Sequence, residues 1–267
     1  MKKTAYALLL TSAMALAACK GATTAAPKVS DSDMQAEART QQQMAEAAAI
    51  KRGEGVVKTT DSMKSRFKTV AEKIAPAGEA LCKDIGASKC QFGFKIEESG
   101  ELNAYADGNY IVVSTAMIDF TNDDELAVVI SHEYAHNIMG HVATQTQNAA
   151  VGGILGTIAD QLANSQGFNT GGALGQYAQG YAVQRYSVGF EQEADYVGLY
   201  VMERAGYDIN KAPGLWRKMS QADARGISMT TTHPSNSARY VALSQTIAEI
   251  QQKKAAKQPL VPSFRKK

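Results

Sequence analysis

The chain has 267 residues, of which 45% are hydrophobic and 20% are charged, and its formal net charge is +2 at pH 7. This composition excludes an intrinsically disordered protein, because the apolar residues are numerous enough to form the core of one globular domain. The two ends of the chain carry basic residues and no acidic ones, and the body between them has a net charge of −6. Nucleic acid is therefore not an expected partner.

Residues 1–18 have the pattern of an export signal. Lys2 and Lys3 give a positive start, the apolar stretch that follows is too short to span a bilayer, and small residues precede Cys19. This resembles the lipobox of bacterial lipoproteins, in which Cys19 is lipidated and becomes the first mature residue. An ordinary secretory signal is the alternative. Because Lys20 rather than Asp follows, we expect a cell-envelope protein anchored to the outer membrane by the lipid on Cys19 and facing the periplasm.

The segment after the signal predicts a tether and then a helix. Residues 19–50 are rich in Ala, Gln, Thr and Ser with few large apolar side chains, as is typical of a linker. The pattern of Lys58–Ile74 predicts an amphipathic helix. We expect it to end near Pro76 and Gly78, because both residue types disfavour a helix interior.

Two cysteines remain after Cys19 is assigned to the lipid anchor. Cys82 and Cys90 form an even pair in a chain that carries an export signal, and exported proteins mature in an oxidising compartment. This predicts a disulfide between them, with two free buried thiols as the alternative. Neither cysteine lies beside a histidine or in a C-x-x-C motif, so no catalytic role is assigned to them.

Residues 92–114 predict a small antiparallel sheet. Apolar and polar residues alternate over 92–97, which is typical of a half-buried strand. Leu102–Ala106 and Tyr110–Ser114 then flank Asp107-Gly108-Asn109, a hairpin-type turn. We expect Tyr110–Ser114 to accept an extended substrate as an added strand.

The sequence His132-Glu133-Tyr134-Ala135-His136 has the spacing H-E-x-x-H. Residues four apart lie on one face of a helix, so both imidazoles can bind one metal ion while Glu133 reaches a water on it. Three of the four histidines lie within ten residues, which scattered core histidines would not do. This favours a metal site over a chance match.

The helix that carries the motif has a recognisable start and a buried body. Asn122 and Glu125 have the spacing of a capping box. Leu126–Ile130 is apolar on all sides, which predicts burial on nearly every face. The alternative, a histidine pair in a core helix without a metal, is disfavoured because buried ionisable groups need partners.

A third ligand is expected, since catalytic zinc usually has three protein ligands and an open position. Glu191 and Asp195 are four residues apart on one helix face, and Gly198 shares that face, where it would allow close approach of the motif helix. We assign Glu191 as the ligand and Asp195 as the carboxylate that orients an imidazole. Glu193 points away and suits a solvated position, and His141, off the ligand face, is interpreted as structural.

Together H-E-x-x-H and the later E-x-E-A-D-x-x-G resemble the gluzincin family of zinc metallopeptidases that contains the CAAX prenyl protease, HtpX, BepA and LoiP. A LoiP-like lipoprotein peptidase is the nearest in pattern. The resemblance implies an α+β, mainly helical fold with a zincin-like core and a small antiparallel sheet beside the H-E-x-x-H helix. It also implies one zinc per subunit on His132, His136 and Glu191, with Glu133 as catalytic base.

The same resemblance extends to three further places. The family's strand pair matches Asn103, Ala104 and Tyr105, which implies substrate contacts there. A family His-Pro pair matches His233-Pro234, which implies that His233 lies beside the zinc and either stabilises the oxyanion or blocks the water site. Arg239 follows, and we assign it to substrate binding.

We therefore expect four segments: a lipoprotein signal peptide (1–18), a lipid-anchored tether (19–50), a zinc metallopeptidase domain (51–250) and a basic tail (251–267). The predicted function is cleavage of misfolded or surplus envelope proteins, with unfolded polypeptides as substrates and envelope proteins as further partners. The first alternative is an envelope chaperone or assembly factor using the same groove. A deformylase is the second, but neither Cys82 nor Cys90 has the Gly-Cys-Leu context that such an enzyme needs.

Two segments are left with alternatives. Residues 151–180 contain eight glycines, which weaken a helix. They predict either a lid over the cleft or a tightly packed helical connection. The basic tail predicts either a solvated end or a contact with anionic lipid or an acidic partner.

Overall fold

The computed structural model describes residues 57–166, 188–222, 233 and 237–264, together with residue 32. The predicted signal, Cys19 and most of the tether lie outside the described residues, so the predictions about them stay predictions. The chain divides into two compact units. One contains the described residues up to 142 and from 188 onwards, and the other contains the described residues 143–166.

The described part of the chain is mainly helical with one small sheet, which confirms the α+β class. Its helices are α1 (Asp61–Asp84), α2 (Thr115–Phe120), α3 (Asp123–Ile138), α4 (His141–Ser165), α5 (Val188–Arg204), α6 (Ala212–Ala222) and α7 (Ser237–Ala255), with a 3-10 turn at Ile209–Lys211. Its strands are β1 (Gly93–Glu97), β2 (Ala104–Ala106) and β3 (Tyr110–Ser114). No helix among these residues is long and apolar enough to cross a membrane.

The sheet is mixed, not antiparallel throughout. Strands β2 and β3 form the predicted antiparallel hairpin, but β1 pairs with β3 in parallel, and the order is β1-β3-β2. Residues 98–103 carry the chain past the end of β3 to its far side. Hydrogen bonds hold this crossing in place: Ser99 N–H donates to Thr115 Oγ1, and Asn103 N–H donates to Ser114 Oγ.

Because β3 is the central strand, it is paired on both sides. The prediction that Tyr110–Ser114 accepts substrate as an added strand is therefore wrong. Within the described sheet, only β1 and β2 have an unpaired edge, and only an unpaired edge can add another strand.

Helix α1 is longer than predicted and continues through Pro76 to Asp84. Ile74 before the proline and Leu81 after it are both buried in the core, so packing outweighs the cost of about 3 kcal/mol for a proline in a helix. Gly78 is a packing residue and does not end the helix, because a Cβ there would overlap the Tyr134 ring of α3. Cys82 in the last turn of the helix and Cys90 beyond it form the predicted disulfide.

Helix α3 begins and is buried as its sequence predicts. The Asn122 side chain accepts from Glu125 N–H, and the Glu125 side chain accepts from Asn122 N–H, which is the expected capping box. Every residue from Leu126 to Ile138 is buried. The helix packs against α1 and α5, so the H-E-x-x-H motif lies in the interior of its unit.

The C-terminal residues are part of the folded domain as far as residue 264. Helix α7 extends past the predicted boundary at 250 to Ala255, and the chain then folds back. Arg204 Nε donates to Leu260 O, and Ser263 N–H donates to the Tyr196 hydroxyl. These contacts attach residues 251–264 to α5, although most of their side chains are exposed.

The glycine-rich insert is described only in part. Residues 151–165 belong to α4, so the first glycines of the insert lie within a helix. Residues 167–180 lie outside the described residues. The lid and the packed connection both stay predictions.

Candidate metal centre

Four buried side chains come together at the centre of the larger unit. They are His132 and His136 on α3, Glu191 on α5, and His233, which precedes α7. One ligand atom from each lies within 4.8 Å of all the others. The sequence predicted the first three as ligands and placed the fourth beside them, and the fold brings all four to one point.

The distances within this cluster suit a small tetrahedral cation. His132 Nε2 lies 3.1 Å from His136 Nε2, and His136 Nε2 lies 3.3 Å from Glu191 Oε1. His233 Nδ1 lies 3.3 Å from His132 Nε2 and 3.1 Å from Glu191 Oε1. Zinc with bonds of about 2.0–2.1 Å has tetrahedral ligands roughly 3.3–3.4 Å apart. Imidazole nitrogens with one carboxylate are donors that zinc prefers, so these residues fit the ion.

Glu133 has the position of a base next to this cluster. It is fully buried, and neither of its carboxylate oxygens has a hydrogen-bond partner among the described residues. Its nearest basic group is His233, whose Nε2 lies 3.4 Å from Oε1. Burial raises the pKa of the Glu133 carboxyl, and the nearby His233 and His132 oppose that rise. A buried carboxylate without a partner is costly, and a substrate water at the metal would supply that partner.

Asp195 supports His132, as the sequence predicted. Its Oδ1 lies 3.0 Å from His132 Nδ1, on the side of the ring away from the ligand atom Nε2. A carboxylate there holds the ring so that Nε2 faces the metal. Asp195 is thus a positioning residue and does not itself face the cluster.

Arg239 is buried and is not placed to contact substrate, contrary to the prediction. The residue is only 1% exposed. Nε and Nη2 bind both oxygens of Asp195 at 2.7 and 2.9 Å, and Nη1 lies 2.9 Å from Glu191 Oε2. The guanidinium also lies over the ring of Trp216. Arg239 compensates the buried charge of the two carboxylates, because a bidentate arginine is the strongest neutral-pH partner for them.

The electrostatics of the cluster keep Glu191 ionised and His136 neutral. Burial alone would raise the pKa of Glu191, but His233 and Arg239 hold it well below its usual range. Burial lowers the pKa of His136 well below its usual value, and Glu191 opposes this only in part. An ionised carboxylate and a neutral imidazole are the forms that bind a metal ion.

His132 differs from His136 in its charge. Burial would lower its pKa, but the Asp195 and Glu191 carboxylates outweigh that effect and raise the pKa to about 9. At neutral pH a metal ion must therefore displace a proton from His132 to bind there.

Gly198 sets the distance between the two helices that carry the ligands. A Cβ at this position would lie 3.1 Å from Ser131 O and 3.2 Å from the N and Cα atoms of His132. Carbon atoms pack best at about 3.5–4.0 Å. Glycine therefore allows α5 to contact the backbone of α3 directly, as the sequence predicted.

The predicted substrate residues lie on the edge of the sheet near α3. Asn103 precedes β2, and Ala104 and Tyr105 belong to it. Asn103 O accepts from Ser114 N–H of β3. In an antiparallel pair the bonded residues alternate, so the N–H and C=O groups of Ala104 and Ala106 point away from β3.

The sequence did not assign several residues that support the site. Asn137, directly after His136, accepts from Gly108 N–H and donates to Tyr110 O, which ties the hairpin to α3. Trp216, the chain's only tryptophan, packs its ring 5.0 Å from that of His132. Glu193 is buried, not solvated, and contacts His141. Of these residues, only Asn137 could have been suspected from the sequence, because it directly follows the H-E-x-x-H motif.

Comparison with known proteins agrees with this geometry. The model of peptidase family M48 matches residues 68–247. The chain is 29% identical to a "Beta-barrel assembly-enhancing protease" of Yersinia pestis over 62% of its length and 36% of that protein. It is 26% identical to "Metalloprotease YcaL" of Escherichia coli K12 over 69% of its length and 72% of that protein. It is 35% identical to "Mitochondrial metalloendopeptidase OMA1" of Arabidopsis thaliana over 51% of its length and 27% of that protein.

The chain spans about a third of the length of the assembly-enhancing protease that it matches. The family model, in contrast, covers about two thirds of this chain and includes the cluster residues His132, Glu133, His136, Glu191 and His233. The matched region contains every residue of the metal centre described above. The chain therefore belongs to peptidase family M48.

Proposed function

We propose that the chain is a zinc-dependent endopeptidase of the bacterial cell envelope that cleaves misfolded or surplus envelope proteins. The observation that carries this proposal is the buried set of His132, His136 and Glu191 beside the Glu133 carboxylate, which accepts no hydrogen bond from the described residues. The name of one bacterial relative, "Beta-barrel assembly-enhancing protease", supports the envelope setting, and "Metalloprotease YcaL" supports the metal-dependent chemistry.

The chemistry divides between the ion and the protein. Zinc, when bound, supplies a Lewis acid that lowers the pKa of its water and polarises the scissile carbonyl. Glu133 accepts a proton from the attacking water at a carboxylate oxygen and returns it to the leaving amine. His132, His136 and Glu191 would hold the ion, and Asp195 would keep the His132 ring in the ligating orientation.

We propose that substrate binds along the outer edge of β2. The N–H and C=O groups of Ala104 and Ala106 point to this edge. Both residues are buried, so an extended peptide would have to displace the chain that covers them before it could add to the sheet as a further strand. This mode favours unfolded polypeptides over folded loops, because a folded chain has already paired its backbone groups. Asn103 and Tyr105 would flank that peptide.

His233 has two alternative roles, and the loss of its side chain separates them. Nδ1 lies among the ligand atoms, whereas Nε2 faces Glu133. As a fourth ligand His233 would block the water site, and His233→Ala would cleave faster than the parent. As an oxyanion donor it would stabilise the transition state, and His233→Ala would cleave more slowly.

The anchor and location follow from the N-terminal sequence. We propose that Cys19 is lipidated and holds the chain at the outer membrane facing the periplasm, where unfolded envelope proteins are available. Mass spectrometry of the mature N-terminus tests the lipid, and an unmodified Cys19 in the membrane fraction would contradict it.

The test of the peptidase is Glu133→Gln, which keeps the size of the side chain and removes its basicity. We expect the variant to bind one zinc per chain and to lose cleavage of an unfolded protein by a factor of about 10²–10⁴. Glu249→Gln is the matched control, because it makes the same chemical change at a carboxylate that contacts Tyr196, Tyr200 and Lys253. A zinc-loaded Glu133→Gln that still digests the unfolded protein would refute the mechanism.

The rival function is a chaperone or assembly factor that uses the same groove without proteolysis. The two functions predict different results for Glu133→Gln in cells. Envelope proteomes of the parent and of Glu133→Gln should differ by proteins that accumulate only in the variant. Full function of Glu133→Gln in the envelope would favour the chaperone.

A further inference from the structure

His141 and Glu193 form a buried pair behind the metal centre. His141 begins α4 and is 1% exposed, and Glu193, on α5, is also 1% exposed. His141 Nε2 lies 2.8 Å from Glu193 Oε2, and His141 Nδ1 lies 3.0 Å from His136 Nδ1. The pair therefore contacts the predicted ligand His136 at Nδ1, on the side of the His136 ring away from the cluster.

The hydrogen-bond directions in this chain of contacts follow from ligation at His136 Nε2. A metal ion bound to that atom would leave the ring proton of His136 on Nδ1, which can then donate to His141 Nδ1 at 3.0 Å. An imidazole that accepts at Nδ1 carries its proton on Nε2, and His141 Nε2 lies 2.8 Å from the acceptor Glu193 Oε2.

His136 Nε2 is the atom that faces the other ligands, 3.1 Å from His132 Nε2. The contacts with Glu193 and His141 thus select the tautomer in which His136 can bind a metal ion at the atom that faces it. Ligating histidines need such an outer partner to fix both the ring orientation and the tautomer.

We propose that Glu193 and His141 are positioning residues that fix the tautomer and ring orientation of His136 for zinc. The proposal rests on the proposed zinc peptidase function and adds two residues to it. His132 has the direct carboxylate partner Asp195, whereas His136 has a carboxylate that acts through a second imidazole.

The ring of His141 is also fixed in its plane. It stacks on Phe190 with 4.4 Å between ring centroids and 14° between the planes. This stacking restricts rotation of His141 about its side chain, so both nitrogens keep their partners. Packing alone would need only the flat ring, whereas positioning also needs the nitrogen atoms.

Two substitutions at His141 separate these possibilities. His141→Phe keeps the flat ring against Phe190 and removes both nitrogens. His141→Asn loses the ring, but its amide oxygen lies near the place of Nδ1 and still accepts from His136. We expect His141→Phe to lower zinc affinity about 10–100-fold and His141→Asn to keep more of the affinity than His141→Phe.

The readouts are zinc affinity by chelator competition and the visible spectrum of the Co²⁺-substituted full chain. Co²⁺ absorption reports the ligand geometry and is independent of cleavage. We expect the Co²⁺ spectrum of His141→Phe and of Glu193→Gln to differ from that of the parent. Unchanged affinity and spectrum in His141→Phe would overturn the proposal. So would equal losses in His141→Phe and His141→Asn, since the ring would then act by packing.

Glu249→Gln and the unfolding of the metal-free proteins serve as controls. Glu249→Gln removes a partly buried carboxylate from α7 without touching a ligand, so its zinc affinity should match the parent. If Glu193→Gln loses metal-free stability but keeps zinc affinity, Glu193 is structural only and the proposal fails. Failure here leaves the Glu133 test untouched, because that test measures cleavage by a zinc-loaded protein.

Discussion

The close contact at Gly198 makes a prediction about both stability and zinc. In Gly198→Ala the added Cβ would lie 3.1–3.2 Å from backbone atoms of Ser131 and His132. Reaching an ordinary carbon contact of about 3.5 Å requires the two helices to separate by a few tenths of an ångström. Backbone atoms cannot rotate away as a flexible side chain can.

Two free-energy terms oppose each other in this variant. Alanine in a helix interior is favoured over glycine by about 1 kcal/mol, whereas overpacking a core costs about 1–3 kcal/mol. We expect Gly198→Ala to lower the free energy of unfolding by about 0–2 kcal/mol. Gly214→Ala in α6 is the matched control, because no described atom beyond its own helix lies within 4 Å of that Cβ, and it should gain up to about 1 kcal/mol.

Zinc binding should be more sensitive than stability. The contact is with His132 itself, and metal–ligand distances tolerate shifts of only about 0.2 Å. We expect zinc affinity to fall about tenfold in Gly198→Ala and to stay unchanged in Gly214→Ala, measured by chelator competition on the purified proteins. Equal stability and equal zinc affinity in the two alanine variants would refute the idea that Gly198 sets the helix separation.

Two further predictions concern stability away from the metal. Replacing Cys82 and Cys90 by serine opens a loop with a sequence separation of 8 and should cost about 2.5 kcal/mol; unchanged chemical denaturation would contradict this. Glu249→Gln should cost about 1 kcal/mol at pH 7. Burial opposes ionisation of Glu249, but Tyr200 and Lys253 lower its pKa below 4.5, so its contribution is present above pH 4.5 and is lost as the pH falls through the folded pKa. Parent and variant should therefore converge in acid, and a difference that grows in acid would contradict the assignment.

The sequence by itself determined much of the local structure and identified side chains that meet in the buried cluster. Helical spacing placed His132 and His136 on one face, and the capping box at Asn122 marked the start of α3, because both depend on residues within a few positions of each other. Gly198 was assigned correctly for a similar reason. Helical periodicity alone places this glycine on the ligand face, where the absence of a side chain allows another helix to pack closely.

Only the tertiary structure decided which residues from distant parts of the chain meet. The strand order β1-β3-β2 depends on the loop that crosses past β3. Because this order pairs β3 on both sides, β3 cannot accept a substrate strand. Arg239 was predicted to contact substrate, but in the folded chain its guanidinium binds Asp195 and Glu191.

The pair of His141 and Glu193 is the clearest case of a contact between distant residues that the sequence did not predict. The two residues are 52 positions apart, and each alone has an ordinary explanation, a structural histidine and a solvated glutamate. Helical periodicity assigns a direction to a side chain but not the partner in that direction. The packing of α3 against α5 and the turn into α4 supply that partner, so the support behind His136 exists only in the folded chain.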